Sequence, residues 1–167
     1  SVGGFLGWPL LLLAMGTTLR KWVGAPAQSG LVWAHASALW LWGLFGVLFF
    51  EQLCDQQFGL QESFGASAGN LSLALLGLGV LAQSRGAGWP AGVHRAHYLR
   101  SGMLGLCLIG GVRAAVYNLQ LASDTAPLPY LPVINPLDLS SLIGAFVALA
   151  WLRRLRGQQP PLCSVTQ

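Results

Sequence analysis

The chain has 167 residues, of which 54% are apolar and 8% charged, with 22 glycines, seven tryptophans and a formal charge of +4. A soluble domain carries about 25% charged residues, so most of this surface must face lipid, which excludes an ordinary soluble enzyme. The basic residues flank apolar runs and do not cluster with interleaved aromatics on a polar domain, which excludes nucleic acid as a partner.

Residues 1–5 carry no basic stretch of the kind that opens a signal peptide, and the first residue is Ser1. The expectation is a piece cut from a longer chain. The first apolar run covers residues 5–19. Counted from Val2 it reaches the length of about 20 residues that a membrane crossing needs, and Arg20 and Lys21 close it. A tight connection with Pro26 follows. The second run, residues 31–53, has no charge between Lys21 and Glu51. Gly30, Ala34 and Ala38 recur on it every four residues and make a flat face that a neighbouring helix can approach. His35 interrupts its apolar pattern one turn in. It reads either as a neutral histidine bonded to a neighbouring helix or to interfacial water, or as a proton carrier.

Residues 54–63 read as a polar connection; Glu51, Asp55 and Glu62 lie in it or at its edge, with no basic residue. The third run, residues 64–82, contains Gly65, Gly69, Gly77 and Gly79, so it packs closely but is intrinsically a weaker helix. Asn70 and Ser72 make its first turns more polar. Arg85 ends it, and a loop with Pro90 follows. His94, Arg95, His97 and Arg100 introduce the fourth run, residues 98–121, which encloses Arg113.

The stretch PLPYLPVINPLDL, residues 127–139, changes character halfway. Pro127, Pro129 and Pro132 remove backbone donors and hold an extended path. Asn135 then suits a helix N-cap, Pro136 the first turn, and Asp138 the position three residues after the cap. The fifth run, residues 137–152, is closed by Arg153, Arg154 and Arg156, and the polar tail 157–167 is expected to be mobile. This stretch, with the apolar helix that ends in Arg153 and Arg154, resembles the C-terminal end of a bacterial family of predicted membrane proteins, domain of unknown function 2339. The resemblance is most specific over residues 127–154. It implies a C-terminal portion of a longer protein with many more spans. It supplies no catalytic residues, because the family has no assigned reaction.

Charge gives an independent reading of the spans. Arg20 and Lys21 fall in the first connection, Glu51, Asp55 and Glu62 in the second, Arg85 and Arg95 in the third, Asp124 and Asp138 in the fourth, and three arginines in the tail. The sign alternates with each crossing. The expected fold is therefore an all-α transmembrane bundle, residues 1–156, with spans at about 2–19, 31–53, 64–82, 98–121 and 137–152. The positive-inside rule puts its N-terminus outside and its C-terminus in the cytoplasm of a bacterial inner membrane.

Arg113 is the strongest pointer beyond packing. At 1.5 Å per residue it stands about 20 Å above Arg100, roughly 10 Å short of the outer edge of the hydrocarbon. An arginine at the membrane centre costs at least about 2.5 kcal/mol unless it snorkels or pairs. Glu51, Asp124 and Asp138 are the acids on that side. One reading is a structural ion pair or a snorkelling arginine. The other is a site for an anionic lipid or sugar-phosphate group, with Tyr117 and Asn118 one turn further out. The outer connection carrying Tyr130 reads as an interfacial plug or as an anion-binding helix entry. On the opposite side His94, Arg95, His97 and Arg100 could touch anionic headgroups.

Cys54, Cys107 and Cys163 fall at different depths, so no disulfide is expected. The Cys and His spacing implies no metal site, and no cofactor is expected. There is no Gly-rich phosphate loop, no GxSxG, no HExxH and no carboxylate pair within a span. The leading functional expectation is a non-enzymatic membrane module serving assembly within a larger envelope protein. Its partners would be membrane lipids and further transmembrane segments or subunits. The competing expectation is a lipid-linked or polysaccharide-processing enzyme or carrier with Arg113, Glu51 and Asp138 at its outer face. A weaker one is a small-solute transporter domain.

Overall fold

Apolar runs of good helix formers, punctuated by Gly, Pro and charge, close into five helices in the computed structural model, which describes residues 2–22, 29–121 and 135–157. The expectations that rest on Asp124, Tyr130, the proline-set path 127–134, Cys163 and the tail beyond Gly157 lie outside the described residues. Helix α1 is Val2–Lys21, α2 is Ser29–Phe58 and α3 is Glu62–Gln83. Helix α4 is assembled from a turn at Arg95–His97, a π-helical stretch at Tyr98–Gly102 and an α-helix at Met103–Leu121, and α5 is Pro136–Arg156. Four segments are long and apolar enough to cross a membrane: Gly30–Phe58, Glu62–Gln83, Arg95–Gln120 and Pro136–Arg156, with 29, 22, 26 and 21 residues. Each rises at least as far as the roughly 30 Å of hydrocarbon.

The polar connection expected at residues 54–63 is corrected. Helix α2 continues through Phe58, and α3 starts at Glu62, so the link is Gly59, Leu60 and Gln61. Gly59 takes φ +55, a left-handed conformation open to glycine at little cost. Its N–H bonds the Asp55 carbonyl at 3.1 Å, and the Leu60 N–H bonds the Cys54 carbonyl at 3.0 Å. At the other end of the chain the Asn135 cap forms. Its Oδ1 accepts from the Asp138 N–H at 2.8 Å, and its side-chain amide donates to Asp138 Oδ2 at 2.6 Å.

Helix α3 is the axis of the bundle. Its buried positions Gly65, Ala66, Ser67, Gly69, Ala74 and Gly77 are small, and α2, α4 and α5 all pack on it. Leu39, Val47, Leu73, Met103, Leu106, Val147 and Trp151 form the principal core. Helix α1 leans on α2 through Leu19, Leu31 and Ala38. Helices α2 and α4 run parallel and α3 and α5 opposite to them, which gathers charge by sign. Glu51, Asp55, Glu62 and Asp138 stand at one end. Eight of the nine basic residues stand at the other, Arg113 being the exception.

The π-helical stretch explains how α4 is held between its neighbours. A π turn widens the helix and disturbs the regular ladder of backbone bonds. Two carbonyls in it accept from outside: Leu99 from the Trp151 indole of α5 at 2.5 Å, and Gly102 from the Trp40 indole of α2 at 3.0 Å. Replacing either tryptophan by phenylalanine removes its bond to α4. Trp40→Phe and Trp151→Phe should each lower the unfolding free energy in detergent by about 1–3 kcal/mol. Near-additive losses in the double variant are expected if the two bonds act as separate clamps, which thermal unfolding of all three proteins checks.

Candidate functional site: a polar cluster at each end of the bundle

At the acidic end, Arg113 of α4 meets Glu51 of α2. Arg113 Nη2 donates to Glu51 Oε1 at 2.5 Å, with the two side chains 17% and 25% exposed. The Tyr117 hydroxyl donates to the same oxygen at 3.4 Å, and the Arg113 guanidinium lies over the Tyr117 ring, 4.9 Å from its centroid. A guanidinium and a hydroxyl thus close on a single carboxylate oxygen, and the ring that carries the hydroxyl offers its face to the guanidinium. Gly69 of α3 makes the space. A Cβ there would stand 3.0 Å from Arg113 Nη2, 3.4 Å from Val47 Cγ1 and 3.5 Å from Glu51 Oε1. Asn118, one turn beyond Ala114, donates to the Ala114 carbonyl at 2.7 Å and to the Ser141 hydroxyl of α5 at 3.0 Å. Asp138 is engaged in the Asn135 cap. The structure therefore brings Arg113, Glu51 and Tyr117 together, and sets Asn118 and Asp138 to tasks in helix joining and capping.

Beside the pair opens a cavity of about 630 Å³, lined by Glu51, Asp55, Glu62, Gln52, Gln61 and Tyr117 among others. Its charged walls are acidic.

At the basic end, the four residues expected to face headgroups divide. Arg95 and Arg100 are exposed, whereas His94 and His97 are half-buried and turn toward α2. The His35 and His94 rings lie 4.2 Å apart, His94 and His97 stack at 6.0 Å, and His35 Nδ1 is 3.1 Å from the Tyr98 hydroxyl. All three histidines of the chain thus share one cluster. Nε2 of His35 and of His94 is buried without a hydrogen-bond partner. The sequence showed His35 and the His94, His97 pair as separate features, because nothing in spacing relates positions about sixty residues apart. Among the described residues no group of three or more His, Cys, Asp or Glu could hold a metal ion.

Two outcomes follow from this geometry. Gly69→Val pushes a branched side chain into the Arg113–Glu51 contact, and should cost about 1–3 kcal/mol in unfolding experiments. Gly69→Ala should cost less, since the flexible guanidinium can shift. At the other end, burial and then the neighbouring His97 hold the His94 imidazole below its ordinary value. A histidine depressed in the folded state contributes nothing adverse above its unfolded value of about 6.5, and stability falls as pH drops through its lowered folded value. Thermal midpoints should therefore be level above about pH 7 and decline under acid. His94→Gln should flatten that decline.

No curated protein and no solved structure matches the chain. A family model does, and it runs over residues 1–166, so the likeness is not confined to the distinctive stretch at 127–154. The matched length takes in all five helices and both polar ends, and the chain belongs to the family of predicted membrane proteins DUF2339.

Proposed function

We propose that the chain is a non-enzymatic, multi-pass packing module of a bacterial inner membrane, serving assembly within a larger envelope protein. The charge distribution supports an orientation with the basic end in the cytoplasm and the N-terminus outside. The observation that carries the reading is the Arg113–Glu51 pair. The arginine is answered by a carboxylate from another helix, and the contact joins α2 to α4 across α3.

The competing reading, an anionic lipid or sugar-phosphate held by Arg113 at the outer face, draws less support. A phosphate entering the adjacent cavity would meet Asp55 and Glu62 as well as Glu51. Like charges at this range oppose binding. The third reading, a solute transporter domain, draws less support as well, because Glu51, the carboxylate level with Gly69 of α3, is already held by Arg113. Glu62 stands at the first turn of α3.

A double-mutant cycle with native mass spectrometry tests the choice. Arg113→Gln and Glu51→Gln should each lose about 1–3 kcal/mol, and the double variant less than their sum, because each single change strands a partly buried charge. Mass spectra of the wild type and of folded Arg113→Gln should show the same lipid content. An anionic lipid retained by the wild type and lost from a still-folded Arg113→Gln would overturn the packing reading in favour of binding.

A further inference from the structure

Among the described residues Asn70 is the buried side chain that leaves two polar atoms unanswered. It sits on α3 with 6% of its surface exposed, and neither its carboxamide nitrogen nor its oxygen has a hydrogen-bond partner. Two hydroxyls that line the same cavity are already engaged: Ser140 and Ser141 donate to the Leu137 carbonyl at 2.9 and 2.8 Å, and Ser141 also accepts from Asn118. An unpaired buried carboxamide is costly in a membrane, where no solvent substitutes.

Asn70 lines a cavity of about 230 Å³ among α3, α4 and α5. The walls of that cavity include Gly110 and Ala114 on α4, and Gly144 and Ala148 on α5. Each pair is four residues apart and so lies on one face of its helix, the small-xxx-small spacing that lets another backbone approach. Large apolar side chains stand exposed elsewhere on these helices. Leu108, Val112 and Leu119 on α4, and Leu142, Phe146 and Leu149 on α5, are exposed, as suits contact with lipid tails. Small residues are thus concentrated where the unanswered amide lies.

Depth separates two kinds of occupant. Asn70 follows Glu62 by eight residues, which places it about 12 Å along α3 from the acidic end. The helix as a whole only slightly exceeds the hydrocarbon thickness, so the amide lies well below the interface. Lipid chains carry no donor or acceptor at that level. A protein side chain does.

We propose that the groove among α3, α4 and α5 is the docking face for a membrane helix other than the five described, one that presents a carboxamide or hydroxyl side chain to Asn70. This rests on the reading of the chain as a packing module, and specifies where its partner sits. A carboxamide or hydroxyl offers both a donor and an acceptor, which matches the two free positions on Asn70. The stripes Gly110, Ala114 and Gly144, Ala148 admit its backbone closely.

The test uses the full protein in its own membranes, with the photo-crosslinker p-benzoylphenylalanine placed at Ala145, at the mouth of the groove, or at Phe146 on the bulky face. The expected result is an adduct at Ala145, absent at Phe146, to a peptide from an apolar spanning segment outside the five helices. That peptide should carry Asn, Gln, Ser or Thr within one turn of the linked position. Its yield should fall about tenfold in Asn70→Leu, equivalent to about 1.4 kcal/mol, and persist in Asn70→Gln. Gly144→Leu gives a second handle. A Cβ at Gly144 meets nothing within 4 Å, so the bundle tolerates the change while the groove is filled, and the adduct should disappear.

Lipid adducts alone at Ala145, a peptide from one of the five helices of a second copy, or a helix adduct indifferent to both Asn70→Leu and Gly144→Leu would each overturn the proposal. The failures are separable. Coupling between Arg113 and Glu51 with no helix adduct removes the groove and leaves the packing module. Loss of an anionic lipid in Arg113→Gln with the adduct intact removes the packing reading and leaves the groove.

Discussion

Everything in this bundle depends on how closely other helices can approach α3. In a bilayer, burying one leucine against another gains little over burying it in lipid, so helices associate through close packing and interhelical hydrogen bonds. A helix rich in glycine is a poor helix in water. In lipid, with its backbone bonds secured because nothing else can satisfy them, the same glycines become the contact surface. Gly65, Ala66, Ser67, Gly69, Ala74 and Gly77 are buried along α3. They allow the ion pair to close over Gly69, and they let Val147 and Met103 come against Gly77.

On that axis the polar contacts act as fasteners at chosen heights. Near the acidic end Arg113 and Glu51 join α4 to α2. Toward the basic end the indoles of Trp40 and Trp151 hold carbonyls of α4 from opposite neighbours, and Arg154 donates to the Leu81 carbonyl at 2.8 Å. The last contact also places a cation at the C-terminal turn of α3, where the helix dipole favours it. Each of these bonds joins two different helices. The helices' own ladders provide local order, and these side chains provide the relative positions.

Much of this was legible in the sequence, for identifiable reasons. Spans are read from runs of apolar residues, a local property, so the five helices and the Asn135 cap could be expected from order alone. The end of α2 could not. Residues 54–58 are polar enough to suggest a loop, but they continue a helix already nucleated upstream and break only where Gly59 admits a left-handed turn. Arg113 announced itself because charge inside an apolar run is costly, and Glu51 was among three acids that could answer it. Which acid did so depended on the parallel alignment of α2 and α4, a tertiary fact. The histidine cluster and the unanswered Asn70 were hidden for the same reason. A polar residue in a span is visible in sequence, but whether it has a partner is settled only by what packs against it.

The wide turn at Tyr98–Gly102 has a geometric effect on everything above it. A π turn accommodates one more residue than an α-helix would in the same rise, and one residue is about 100° of rotation. The turn therefore sets the angular phase between the two ends of α4. At its first residue, Tyr98 faces His35; above it, Arg113 faces Glu51. An unbroken α-helix would set these two residues, fifteen apart, about 60° from each other around the axis, and the extra residue of the wide turn moves them to about 40° on the other side. The irregular stretch therefore trims the phase of α4 without turning either residue from α2, and one helix meets the same neighbour twice, about 20 Å apart along its length.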